Sequence, residues 1–172
     1  YTKLDEVPYD FIRKRLSILV AHGHTHLMVT KGALDNVLAV CSSADSADGA
    51  PVPLATVQEQ IQQKYQEFSA QGYRTLGIAY RDVGQQSLIG KGDEANLVFL
   101  GFIVLADPPK PGIADTLQSL KRLGVSLKVI TGDNCLVAAN IAQQVGLSHP
   151  DILTGAAIRE MSEKVPLPRI HR

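Results

Sequence analysis

An excess of either charge is missing from this 172-residue sequence: Lys plus Arg number 17 and Asp plus Glu number 17, giving a formal net charge of zero. No global field therefore favours nucleic acid, an acidic membrane surface or a cationic substrate, and any polyanion site must be local. Long apolar runs are also missing. The stretch 16–21 (LSILVA) is far short of the ~20 residues that a membrane span needs, and no signal peptide is present, so the polypeptide reads as soluble. Cysteines number two, Cys41 and Cys135, with no CxxC spacing; each sits in a helical pattern and reads as a free thiol in a reducing compartment. What the chain has is 45% hydrophobic residues, enough to build one domain or two small ones with a real core.

Residues 16–22 (LSILVAH) and 27–31 (LMVTK) are β-type runs around Gly23 and read as a hairpin. A short helix over 33–40 follows, with Leu34, Val37, Leu38 and Cys41 on one face. Residues 42–53 are loop by composition. Leu54, Val57, Ile61, Tyr65 and Phe68 then fall at helical spacing, with Gly72 as the stop. Strands over 73–80 and 97–105 complete an order β-β-α-α-β-β, which suits an antiparallel sheet with helices against it. After ADPPKPG (106–112) the grammar changes, because the prolines cannot continue a strand. A helix carrying Ile113, Leu117, Leu120 and Leu123, a strand over 125–130 and a helix over 135–145 with Gly146 as its stop have the order of a doubly wound parallel sheet. A second strand near Ile152 would extend it. The expected architecture is thus α/β (α+β): an antiparallel-sheet lobe over 1–106, a partial Rossmann-like lobe over 107–161 and an atypical tail over 162–172.

Several short stretches could carry chemistry. Thr131-Gly132-Asp133-Asn134 follows a parallel-type strand and opens a helix, the edge where open α/β sheets bind anions; the plain alternative is a strand-to-helix turn capped by Asp133 or Asn134. Lys31-Gly32-Ala33 sets an ammonium beside a glycine that allows close backbone approach, either for a nucleotide or as a surface lysine before a tight turn. Arg74 lies next to half-buried strand residues and could clamp a phosphate or simply be a solvated strand-edge arginine. Phe11 precedes Arg13, Lys14 and Arg15, an aromatic face with cations nearby, or else a core ring beside a solvated basic face. His22, His24 and His26 alternate at a hairpin tip, which invites a metal reading that Gly23 and the lack of a nearby carboxylate oppose.

Together and in this order, Phe11 with Lys14, Lys31-Gly32-Ala33, Arg74 in YRTL, Asp107-Pro108-Pro109-Lys110 and Thr131-Gly132-Asp133 resemble the P-type cation-transporting ATPases over residues 4–155. The wording around them is most similar to the bacterial magnesium-transporting branch. The resemblance implies that Phe11 stacks on adenine, Lys31 lines the base and ribose end of the pocket and Arg74 approaches the phosphates. It further implies that residues 107–110 form the hinge and that Thr131, Gly132 and Asp133 belong to the catalytic cleft of a haloacid-dehalogenase-type phosphorylation domain. Many members place a lysine five residues after the aromatic, where this chain has Leu16; Lys14 comes three after, and Arg15 is the alternative. The family's phosphorylated Asp lies in a DKTGT segment and its metal loop reads GDGxND, and neither occurs here. The expectation is an interior piece of an enzyme that uses ATP and Mg²⁺, through an aspartyl-phosphate, to move a cation, Mg²⁺ by the branch, across a bacterial inner membrane. Its partners would be ATP and, for the parent, the cation; it would bind no nucleic acid and meet the membrane only through helices absent from this sequence. Alternatives are a non-catalytic nucleotide-binding module and a haloacid-dehalogenase-type phosphatase fragment, which would need its own Asp-x-Asp strand.

Overall fold

The computed structural model describes residues 1–46, 48–147 and 151–164. Two compact units emerge: Tyr1–Ser69 with Tyr73–Ala106, and Ala70–Gly72 with the described residues from Asp107 onward.

The first unit is built on one seven-stranded sheet. Its strands are β1 (Thr2–Val7), β2 (Arg15–His22), β3 (Thr25–Gly32), β4 (Cys41–Asp45), β5 (Pro51–Pro53), β6 (Arg74–Asp82) and β7 (Leu97–Leu105), and its helices are α1 (Leu34–Leu38) and α2 (Leu54–Ala70). In space the strands run β1-β2-β3-β6-β7-β4-β5. The hairpin β2-β3 pairs in unbroken register from Arg15↔Gly32 to His22↔Thr25, and β3 pairs antiparallel with β6 from Leu27↔Asp82 to Gly32↔Gly77. Alternation along these strands sends Ser17, Leu19, Met28, Thr30, Gly77 and Ala79 inward, where they are buried. Leu19, Met28, Ala79, Leu97 and Phe99 form a core with Leu34, Val37 and Leu38 of α1, and Leu54, Val57, Ile61 and Tyr65 of α2 pack against it. Each fully buried Leu, Val, Met or Phe side chain of this core contributes roughly 1.5–3 kcal/mol relative to exposure. The opposite face carries the half-buried row Leu16, Ile18, Val29 and Ile78.

Three strands depart from the expected order. Residues 42–53, expected as loop, supply β4 and β5, and Cys41, expected on a helix, opens β4. The composition hid them because CSSAD is polar and PVP carries two prolines, which a strand tolerates only at an edge. β1 was equally hidden, being a charged edge strand with no apolar alternation. The sheet also contains one parallel pair, β4 with β7, where an all-antiparallel sheet was expected. Elsewhere α1 is shorter than its expected span, while α2 ends where Gly72 adopts φ +85° and the Tyr73 amide returns to the Phe68 carbonyl at 3.0 Å.

The second unit contains α3 (Ile113–Arg122), α4 (Cys135–Gln144) and α5 (Gly155–Lys164). The strands expected over 125–130 and near Ile152 are not formed; among the described residues no strand follows Leu105. A strand exists only through a neighbour that takes up its N–H and C=O groups, and among the described residues none pairs with 126–130. Val129 and Ile130 are accordingly 64% and 96% exposed. The parallel, Rossmann-like pairing expected here is therefore not seen. The expected atypical tail lies outside the described residues beyond Lys164, and of the side chains from Ser162 nothing is described.

Candidate functional site

Antiparallel pairing decides which residues can meet. β2 begins, β3 ends and β6 begins at the same end of the sheet, since Arg15 pairs with Gly32 and Gly32 with Gly77. Phe11 and Lys14 in the turn before β2, Lys31 and Gly32 on β3, Ala33 after it and Arg74 on β6 are thus gathered at one end. Lys31 pairs with Leu16 on one side and Ile78 on the other. Arg74 stands four residues from Ile78 on the same face, about 13 Å along the strand.

The turn that presents Phe11 is closed by Asp10. One carboxylate oxygen of Asp10 accepts the amides of Ile12 at 3.0 Å and Arg13 at 2.6 Å, and the Asp10 carbonyl accepts the Lys14 amide at 2.8 Å. These bonds turn the chain so that Phe11 faces solvent, 87% exposed, with Tyr9 against it at a centroid distance of 5.5 Å. Phe11 is therefore not a core ring. The Arg13 amide, then the Arg13 guanidinium and Lys91, hold the Asp10 carboxyl down at about 2, in spite of partial desolvation.

The basic run does not form a solvated face. Arg13 and Arg15 both reach inward to Glu94, whose side chain is fully buried, while Lys14 between them is exposed with φ +49°. Arg15 is thereby engaged with Glu94 and the Asn36 carbonyl, which argues against it as the substitute for a ligand lysine. Burial pushes the Glu94 carboxyl up, but hydrogen bonds from Arg13, Ser17 and Arg15 outweigh it and leave it below the usual range. Nothing in the local sequence around Glu94 marked it; the signal lies in the pairing of distant strands.

Gly32 has a packing role in the sheet. A Cβ there would fall 2.6 Å from Arg15 Cβ and 2.7 Å from Arg15 Cα and would collide with the Lys14 carbonyl, so the missing side chain makes room for the neighbouring strand. Ala33 precedes α1 and gives its amide to that same carbonyl at 3.0 Å. Lys14 and the Lys31-Gly32-Ala33 segment are in this way tied through backbone.

In the second unit, Thr131, Gly132 and Asp133 form a bend before α4. The Thr131 hydroxyl donates to the Asp133 carboxylate at 2.9 Å, and Asn134 caps the helix by accepting the Leu136 amide at 2.8 Å. Gly132 faces open space. Asp107, Pro108 and Lys110 are exposed and Pro109 half-exposed, in a segment without regular structure.

Two histidines of the hairpin tip engage partners through their side chains. His22 stacks on Tyr1 at 4.7 Å and His26 Nδ1 donates to the Gln86 carbonyl at 2.7 Å. Among the described residues no three His, Cys, Asp or Glu side chains come together as a metal site would require. Burial pushes the Cys41 thiol up to about 12, which makes it a poor nucleophile.

The profile described as P-type ATPase, cytoplasmic domain N, matches residues 1–112. The chain belongs to the P-type ATPase family. Magnesium-transporting ATPase, P-type 1, of Escherichia coli (strain K12) is 35% identical over 166 residues, which cover 95% of this chain and 18% of that protein. Its namesake from Salmonella typhimurium is 35% identical over 169 residues, with the same coverage. Calcium-transporting ATPase PAT1 of Dictyostelium discoideum is 32% identical over 159 residues, covering 91% of this chain and 14% of that protein. This P-type ATPase chain thus spans under a fifth of the length of these relatives. No described helix is long and apolar enough to cross a membrane.

Proposed function

We propose that the chain forms the later part of the nucleotide-binding domain and the start of the returning phosphorylation domain of a cation-transporting P-type ATPase, with Mg²⁺ as the cation and a bacterial inner membrane as its setting. The magnesium relatives support this ion; residues that choose an ion would lie in membrane helices outside this sequence. The observation that carries the reading is the gathering of Phe11, Lys14, Lys31 and Arg74 at one end of a sheet.

The residues present fit ATP. The Phe11 ring is open enough to take a base, Lys31 is exposed at the same end of the sheet, and Arg74 lies farther along the same face as Lys31, where only a longer phosphate chain would reach. Lys14 adds a second exposed cation on the turn. Bound ATP, with Mg²⁺, supplies a γ-phosphoryl group for transfer to an aspartate that this sequence does not contain. Thr131 and Asp133, already joined by a hydrogen bond, would stand in the cleft of the phosphorylation domain, and residues 107–110 would serve as its hinge.

The reading is tested by NMR titration of ATP and AMP into the wild type and two variants. Phe11→Ala should weaken both nucleotides alike, by roughly five- to a hundredfold, since base stacking is worth about 1–3 kcal/mol. Arg74→Ala should weaken ATP more than AMP. Shifts scattered away from residues 11, 31 and 74, or variants that bind like the wild type, would remove the nucleotide-site assignment.

A further inference from the structure

The exposed turn and the sheet beneath it share one buried anion. Glu94 stands just before β7 and is some 80 residues from its partners in sequence, yet its carboxylate is filled from three sides. One oxygen accepts Arg13 Nη1 at 2.5 Å and Arg15 Nε at 2.8 Å; the other accepts the Ser17 hydroxyl at 2.7 Å. Ser17 has a single proton and gives it to Glu94, so Thr30 donates to Ser17 across their 2.7 Å contact. Both hydroxyls are fully buried.

From Glu94 the network continues outward to the ends of the nucleotide turn. Arg13 carries it to the Asp10 carboxylate through Nε at 2.5 Å and to the Pro8 carbonyl through Nη2 at 2.8 Å. Arg15 carries it to the Asn36 carbonyl of α1 at 3.0 Å. With residues 13 and 15 held on one carboxylate oxygen, the residue between them must arch away, and Lys14 does so in the left-handed region that non-glycine residues enter rarely. The same arch delivers the Lys14 carbonyl to the Ala33 amide. A fixed turn keeps Phe11 aimed outward, so less order has to be imposed when a base arrives.

We infer that Glu94 is a positioning residue for the nucleotide, acting through Arg13 and Arg15 to hold the Phe11–Lys14 turn in its binding shape. The inference rests on the nucleotide reading above for its purpose, but its physical content can be measured without a ligand. Glu94→Gln keeps the shape and removes the charge that holds two guanidinium groups. In the ligand-free chain, ¹⁵N relaxation should show the order parameters of residues 11–14 falling from about 0.85 toward about 0.6 in Glu94→Gln, with β2 and β3 unchanged. In the still-folded variant, AMP and ATP should both bind roughly three- to tenfold more weakly, and adding Phe11→Ala should cost less than it does in the wild type.

A buried pair that only stabilises the fold would lower the unfolding midpoint while leaving turn order and affinity as they were; that result, or full additivity with Phe11→Ala, would overturn the inference. Should Glu94→Gln not fold, Ser17→Ala and Arg13→Lys, which each weaken the network at one point, are judged by the same two readouts. Loss of turn order without any nucleotide shift in the wild type would count against the nucleotide reading and leave the control of the turn by Glu94 standing as a structural fact alone.

Discussion

At the scale of single residues, four carboxylates of the first unit are held below their ordinary values, Asp5, Asp10, Asp93 and Glu94, and two of these, Asp10 (ordinarily 3.8) and Glu94 (ordinarily 4.5), belong to the turn network. Folding keeps both ionised where the unfolded chain has begun to bind protons. Their stabilisation is therefore complete above about pH 5 and drains away as pH falls through the folded values, which for Asp10 is about 2. Urea unfolding followed by circular dichroism should show the midpoint falling between about pH 5 and pH 3, with a flatter acid limb in Glu94→Gln. A wild-type midpoint constant across that range would contradict the network. Gly32→Ala offers a second test. The added Cβ meets backbone as well as side chain of Arg15, so overpacking should cost about 1–3 kcal/mol, read as a lower unfolding midpoint. A stable Gly32→Ala protein with weakened ATP binding would instead mean that the glycine serves the ligand. The motif residues were legible in the sequence as a set, but their local roles were not. Arg13 and Arg15 look solvated in a basic run, and only the arrival of Glu94 from a distant strand shows otherwise.

At the scale of elements, legibility followed apolar periodicity. β2, β3, β6, β7, α2 and α4 could be read because alternation or helical spacing survives in LSILVAH, LMVTK, Ile61 to Phe68 and the rest. β1 and β5 could not, since an edge strand needs only a partner and no apolar face, and β4, which lies between β7 and β5, could not because CSSAD is polar in composition. The opposite error fell on residues 125–130, whose composition is that of a buried parallel strand. Among the described residues no strand pairs with them. Hydrogen exchange should separate the two cases: amides of β2, β3 and β6 should be slow, whereas those of 126–130 should exchange near the intrinsic rate, because no ladder protects them. The Val125 amide is the exception in its neighbourhood, since it bonds the Leu120 carbonyl at 3.0 Å. Strong protection throughout 126–130 would mean that this segment finds a strand partner in solution.

At the scale of the whole molecule, family membership is legible in the sequence because the motifs keep their joint order along the chain, even where each alone has a plain alternative. The zero net charge has a different consequence: near neutral pH, long-range repulsion does little to keep copies of this chain apart. What the sheet presents at its rims then matters. β1 carries Lys3, Asp5 and Glu6 along the edge, with a register shift between Lys3 and Asp5. β5, at the other rim, is Pro51-Val52-Pro53, where two of three residues have no N–H to give. Neither rim is a regular row of donors and acceptors on which a further strand could template, so the obvious route to cross-β aggregation for a strand-rich lobe in a chain of zero net charge is closed at both ends.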